Sequence, residues 1–233
     1  MATYDLSLET GPQRKKSLVH VLALLGCVAE GKTADEAVAA APEAIRAYLR
    51  YLSRHGESVY MDANIDVRVA DENLAGLFSG QAMWPADRKP LAPKDLARYV
   101  RWLEWSREDL LALVNEIDEK RFRTKPASGR SLREILLHVL DADKAYVYGL
   151  VGVFKAMGDP TNAALKGQLD LRVALANSRE VAVERLAKLT PQERAKVRTA
   201  GKSLVSAHRM IRRMLEHEWE HRREIAARLG KEA

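Results

Sequence analysis

The sequence predicts an α+β protein in which a small α/β domain precedes an all-α four-helix bundle. Three observations predict this class. Apolar residues alternate along short segments in the first 72 residues, recur at helical spacing from residue 93 onward, and follow neither period in between. We therefore expect a first domain over residues 1–72, a linker over 73–92 and a second domain over 93–233.

The first domain is predicted to run strand, strand, helix, strand. Apolar and polar residues alternate in "TYDLSLE" and in "ANIDVRVAD", and "SLVHVLALLGC" is an apolar run rich in strand formers. Between the second and third strands, Thr33 is the predicted N-cap of a helix, with Glu36 at the capping-box position. Pro42 lies in the apolar stripe of this helix, so we expect a kink or a later start. Gly56 is the predicted stop signal.

The predicted linker contains "GLFSGQAMWPADRKPLAP", which is rich in glycine and proline and has no sustained period. It also contains Phe78 and Trp84. Large apolar side chains in a linker usually dock on a folded surface, so we do not expect an open tether.

Four helices are predicted in the second domain, near residues 93–118, 131–155, 169–189 and 203–229. The connecting segments "TKPASGR", "MGDPTNAALKGQ" and "TPQERAKVRTAGK" are rich in turn formers. Ser131 and Glu134 form a predicted capping box at the start of the second helix. Four amphipathic helices of this length are typical of a bundle.

Composition limits the classes of function. The chain carries 47% apolar residues, as folded domains do, and a net charge of +6. Its basic residues are mixed with acidic ones, which favours solvated helix faces over a nucleic-acid partner. Cys27 is the single cysteine and no apolar run approaches the length of a membrane span, so we expect a soluble, cytoplasmic protein without membrane contact.

The segment "HEWEH", residues 217–221, matches the H-E-x-x-H pattern of zinc proteases, in which two helical histidines bind the metal and the glutamate activates water. Those enzymes generally take a third ligand downstream, and here only "RREIAARLGKEA" follows. No sheet edge is predicted nearby to hold a peptide. We therefore do not expect a zinc protease.

His217 and His221 share one helix face with Met210, Met214 and Ile225, so this face is predicted to point into the bundle. On the second helix, His138 shares a stripe with Ile135 and with the small residues Ala142, Ala145 and Gly149. His208 lies on the opposite side of its helix from His217, and His20 and His55 belong to the first domain. The three remaining histidines predict a metal site with an open coordination position, although hydrogen-bonded core histidines are the alternative.

Ligating histidines need an acceptor for their second ring nitrogen, and Glu134 and Glu224 lie near the ligand faces. A solvated surface ion pair is the favoured alternative for each of the two glutamates. Tyr146 and Tyr148 flank the His138 stripe, where they could line a pocket or simply pack in the core.

The segments "SLREILLHVLDADKAYVYG" and "MIRRMLEHEWEHRREIAARL" resemble the DinB-like superfamily of four-helix bundles. The resemblance covers residues 93–230 and implies that His138, His217 and His221 bind a divalent metal, nickel or zinc. It also implies a homodimer, which Trp102 and Trp105 would support as apolar surface. Characterised relatives are transferases and isomerases that use low-molecular-weight thiols such as bacillithiol or mycothiol.

The segment "LLGCVAEGKTADEAVAAAPEAIRAYLRYLSRHGE" resembles the HicB-like fold through its Gly-Cys turn and a G-x-T-x-x-E-A helix start. The fold occurs in antitoxins, yet "LALL" stands where relatives carry prolines, and the bundle stands where a DNA-binding segment is common. An interaction or lid module is the function this resemblance favours, with Cys27 in a structural role.

Two hypotheses follow. The protein is a metal-dependent thiol transferase acting on a small electrophile, or it is a non-catalytic binding or regulatory protein whose bundle carries a HicB-like interaction module.

Overall fold

The computed structural model describes residues 2–11, 16–61, 64–74, 82–201 and 203–231. It confirms the α+β class, with a mixed sheet in the N-terminal part and helices after it. The chain divides into two compact units. The first comprises Met1–Lys89 and Gly201–Leu204, and the second comprises Pro90–Ala200 and Val205–Ala233.

The first unit contains a four-stranded sheet in the order β3-β2-β1-β4. Its strands are β1 (Ala2–Thr10), β2 (Ser17–His20), β3 (Val28–Gly31) and β4 (Ile65–Asn73). β2 runs antiparallel to both β1 and β3, whereas β4 runs parallel to β1. A parallel neighbour requires a crossover connection, which the intervening helix supplies.

The helix α1 (Ala34–Arg54) covers this sheet. The hydroxyl of Thr33 accepts the Glu36 N–H at 3.1 Å, as predicted, while the Glu36 carboxylate accepts from the N–H of Lys32 at 2.8 Å. The helix runs on through Pro42. Its apolar stripe is fully buried against the sheet: Ala37, Ala41, Ile45, Tyr48, Leu49 and Leu52.

The predicted second strand, "SLVHVLALLGC", is shorter in the structure, and a further strand, β3, begins directly after that segment. β2 ends at His20, the chain then turns through Gly26 at φ 102°, and Cys27 is buried where the chain enters β3. The sequence prediction missed β3 because a continuous apolar run does not show where a tight turn interrupts it.

Part of the predicted linker packs in the first unit. The N–H of Ala82 donates to the buried carboxylate of Glu9 at 3.3 Å, and the ring of Trp84 lies 5.8 Å from that of His20. Glu9 and His20 form a buried pair at 3.2 Å. Phe78 lies outside the described residues.

The second unit is built on four long helices, α2 (Pro93–Val114), α4 (Leu132–Val151), α6 (Leu171–Ala187) and α8 (Ala207–Leu229). Both α2 and α4 pack against α6 and α8, so the four form a closed bundle. Trp102 is 2% exposed and is therefore a core residue in the single chain, whereas Trp105 is half-buried.

Three short helices lie between the long ones, namely α3 (Glu119–Arg123), α5 (Lys155–Leu165) and α7 (Pro191–Ala195). Two short strands, β5 (Arg198–Ala200) and β6 (Ser203–Val205), precede α8. The prediction treated residues 157–168 as a connector because of their glycine and proline. In the structure Met157, Gly158 and Pro160 are buried, and this packing stabilises a helix that local propensity disfavours.

Within the described residues, no helix is long and apolar enough to cross a bilayer.

Candidate metal centre

The candidate centre lies where α4 faces α8. Ser131 caps α4 in a capping box. Its hydroxyl accepts the backbone N–H of Glu134, and the Glu134 carboxylate accepts the backbone N–H of Ser131. Ser206 caps α8, which ends at Gly230 in the left-handed conformation. These caps fix where each helix begins and ends, and therefore which residues of each helix face the other.

The structure brings the three predicted histidines together. The Nε2 atoms of His138 and His217 are 3.0 Å apart. The ring centroid of His221 lies 4.6 Å from that of His217 and 5.2 Å from that of His138. One potential ligand atom from each residue falls within 4.8 Å of the other two. Three imidazole nitrogens therefore converge on one point between two helices.

The environment favours the uncharged form of His138 and His217. Burial lowers the pKa of His217 to about 2, and the charges of His221 and Arg213 add to this effect. Burial also lowers the pKa of His138, with a further contribution from Arg130. Neutral imidazole is the form that binds a metal ion, so His138 and His217 need no deprotonation near neutral pH.

A chain of contacts orients His221. Its Nδ1 lies 3.0 Å from the carboxylate of Glu224, one turn further along α8. Glu224 also pairs with Arg228, whose guanidinium donates at 2.6 Å to the carbonyl of Arg130 just before α4. An Nδ1–H bound to a carboxylate leaves Nε2 as the ligand atom. Glu224, one of the two sequence candidates, therefore has the geometry of an orienting carboxylate.

Glu134 does not have this role. Its carboxylate accepts from the backbone N–H of Ser131 at 2.8 Å and pairs with Lys125 at 2.9 Å. These contacts lower the pKa of Glu134 to about 2, with the Lys125 hydrogen bond as the largest cause. Glu134 is a capping residue, and the sequence alone did not distinguish the two uses.

The donor set fits a divalent transition metal. Tetrahedral zinc sites have metal–nitrogen distances of about 2.0–2.1 Å, which place ligand nitrogens about 3.3 Å apart. The 3.0 Å approach of two histidine nitrogens is close to that separation. The buried Nδ1 of His217 has no hydrogen-bond partner among the described residues. Three imidazoles suit zinc or nickel and leave at least one coordination position open.

The glutamate of the H-E-x-x-H pattern is not available as a base. Glu218 is 0% exposed, accepts from Arg107 Nε at 2.6 Å and also pairs with Arg179. Burial opposes its ionisation, but the charges of Arg107 and Arg179 outweigh burial and lower the pKa of Glu218. Its carboxylate points into the bundle, where it cannot activate a water as a protease glutamate does.

The two arginines also share Asp143. Arg107 and Arg179 each donate to its Oδ2 at 2.7 Å, so one residue from each long helix meets in a buried four-charge cluster. We did not predict this cluster. The available signal was a lone charged residue on the buried stripe of α2, α4 and α6, as in "WSRED" for Arg107.

The small residues predicted beside His138 are only partly inward. Ala145 is exposed and Ala142 is half-buried, because the buried face of α4 runs through Val139, Asp143 and Val147. An added Cβ at Gly149 would lie 3.7 Å from the sulfur of Met210, an ordinary van der Waals contact, so the packing against α8 does not require glycine there.

Tyr146 borders the centre, with its ring centroid 6.1 Å from that of His217. Tyr148 lies apart from it, since its hydroxyl donates to the carbonyl of Phe154 at 3.1 Å. The ring of His208 packs against Tyr99 at 6.2 Å, and that of His55 against Tyr51 at 5.1 Å.

Comparisons with known proteins match both parts of the chain. The profile of the DinB superfamily matches residues 102–225, which is more than half of the chain and includes all three histidines. The N-terminal region is similar to a UPF0150 protein of Thermoplasma acidophilum, with 42% identity over 52 residues that cover 22% of this chain and 75% of the relative. This likeness is compatible with the HicB-like resemblance. No solved structure gave a significant match.

Proposed function

Because this chain belongs to the DinB superfamily, we propose that His138, His217 and His221 bind one divalent metal ion and that the protein transfers a low-molecular-weight thiol to a small electrophile. The observation that carries the proposal is the convergence of three imidazole nitrogens within 4.8 Å. His217 is buried, and a buried histidine is costly unless a ligand or partner satisfies its ring nitrogens.

A divalent ion held by His138, His217 and His221 would lower the pKa of a thiol or water bound at its open position. The chain's residues prepare that position. His138 and His217 are held neutral, and Glu224 fixes the ring orientation of His221. The charges of Arg213 and Arg130 also disfavour protonation of His217.

In the transfer, the thiol gives up its proton to solvent and its sulfur forms a bond with the electrophilic carbon. The leaving group departs with the electron pair of its own bond. Tyr146, at the border of the histidine cluster, is the aromatic side chain placed to contact the electrophile.

Metal binding is tested first. The purified protein is analysed for metal content and titrated with zinc and nickel, alongside His138→Ala, His217→Ala and His221→Ala. Each substitution should lower affinity sharply, whereas the control His208→Ala should not, because its ring packs against Tyr99. Cobalt substitution reports coordination number through its visible bands. Equal metal binding by wild type and His138→Ala would remove the third ligand.

Catalysis is tested separately. Metal-loaded protein is incubated with a panel of bacterial thiols and a chromogenic electrophile, with His217→Ala as the control. Metal-dependent turnover that the control lacks supports a transferase.

A non-catalytic binding protein is the second candidate, and the likeness of the N-terminal region to a UPF0150 protein favours it. In that case the HicB-like unit engages a partner and the bundle serves as its scaffold. Metal binding without turnover on any thiol, at rates equal to the control, is the result that this candidate predicts.

A further inference from the structure

The open edge of the sheet in the first unit has the features of an interaction surface. β4 is the last strand of the sheet, and within the described residues no strand pairs with its outer side. It is nine residues long and largely exposed. Long exposed edge strands present unpaired backbone groups that template pairing with another chain, so proteins usually cover or interrupt them.

Exposed apolar side chains are frequent in β4 and in the segments directly before and after it. Of the eight large apolar residues exposed in the described chain, four lie within residues 60–74. Tyr60 is 77% exposed, Met61 48%, Val69 37% and Leu74 47%. Val69 belongs to β4 itself, and exposed apolar residues at a strand edge favour pairing with another chain.

The sequence of β4 is complementary to itself. Ile65, Val67 and Val69 lie on one face of the strand, and Asp66 and Arg68 lie on the other. We propose that two copies of this chain pair antiparallel along β4, with Val67 opposite Val67 of the second copy, to form a continuous eight-stranded sheet. Ile65 then faces Val69 of the second copy, and Asp66 faces Arg68 of the second copy, each contact occurring twice.

Neighbouring registers are less favourable. A twofold axis perpendicular to the sheet relates the two copies and keeps their apolar stripes on the same face. Residues that lie opposite each other must then point to the same face, so the axis lies between the two copies of a single residue. At Asp66 it places two carboxylates opposite each other, and at Arg68 two guanidiniums, both of which are destabilising. The pairing of β4 with β1 is irregular at Ala70, which limits regular pairing to Ile65–Val69.

The backbone of β4 supports the same register. The N–H of Val67 donates to the carboxylate of its neighbour Asp66 at 3.0 Å, which indicates that it points to the open edge. In the dimer, this N–H donates to the carbonyl of Val67 in the second copy instead of to the Asp66 carboxylate. Asp66 is then available to Arg68 of the second copy, at a pair without backbone hydrogen bonds, where side chains approach most closely. Asp5 on β1 holds Arg68 on this face, with Nε to Oδ1 at 2.5 Å.

Charge exchange on the full chain tests the proposal by sedimentation velocity. Wild type should dimerise. Asp66→Arg and Arg68→Asp should each raise the dissociation constant by about tenfold or more, because two attractive pairs become repulsive. Mixing these two variants should restore a heterodimer, and the double variant Asp66→Arg/Arg68→Asp should restore the homodimer. Glu72→Arg, beyond the irregularity, should leave the dissociation constant unchanged.

Thermal unfolding of each variant checks that the fold is retained, since Arg68→Asp also removes the contact with Asp5. A wild type that stays monomeric at the highest concentration reached would overturn the proposal. So would a dimer that Asp66→Arg leaves intact, because dimerisation would then use another surface. Neither outcome depends on metal binding.

Discussion

Replacing Glu218 by glutamine should destabilise the bundle severely. The carboxylate of Glu218 is fully buried. The guanidiniums of Arg107 and Arg179 each pair with both Glu218 and Asp143. The four charges sum to zero. Glutamine removes one negative charge, so two buried positive charges share a single carboxylate in a medium of low dielectric constant.

Removal of one partner from a buried ion pair typically costs 3–5 kcal/mol. Glutamine keeps the volume of the side chain, so no cavity contributes and the lower part of that range, about 3 kcal/mol, is the expectation. For a protein of this size each kcal/mol shifts the melting temperature by about 2–4 °C. Glu218→Gln should therefore lower the melting temperature by roughly 6–12 °C.

Calorimetry on metal-free protein measures this change, with Glu180→Gln as the matched control because Glu180 is exposed on α6. Arg107→Met combined with Glu218→Gln leaves one positive and one negative charge in this cluster, those of Arg179 and Asp143. The double variant should therefore be more stable than the sum of the single effects by about 0.5–3 kcal/mol. Unchanged stability in Glu218→Gln would refute the assignment of Glu218 to the structural cluster.

Three further predictions follow from other residues. Glu224→Gln should weaken metal binding about 10- to 100-fold in a competition titration, because His221 loses its orienting carboxylate; equal affinity would contradict that role. The pKa of Glu134 is lowered from 4.5 to about 2, so its contribution to stability is complete above pH 4.5 and is lost as the pH falls through about 2. An NMR titration midpoint near 4.5 would contradict this. Gly31→Ala should destabilise the first unit by about 1–3 kcal/mol, since the new Cβ would lie 2.4 Å from the nitrogen of Ala37. Unchanged urea unfolding would show that the turn into α1 can relax.

The sequence alone determined features that depend on near neighbours in the chain. Helical spacing placed His217 and His221 on one face with Met210 and Met214, and both methionines are buried as predicted. Thr33 and Ser131 cap their helices as predicted, because a cap joins atoms only three residues apart. The order of the main elements and the DinB resemblance follow from the same local patterns.

Only the tertiary structure decided the contacts between elements. Residues 138 and 217 are far apart in the chain, and the 3.0 Å approach of their imidazoles depends on how α4 packs on α8. The role of Glu218 likewise depends on Arg107, Asp143 and Arg179 arriving from three other helices. Residue spacing along a helix fixes the direction of a side chain, but the packing of buried surfaces determines what that side chain meets. For this reason the sequence matched a protease pattern that includes Glu218 as well as a three-histidine ligand set, and only the packing of the bundle showed that Glu218 is a structural carboxylate.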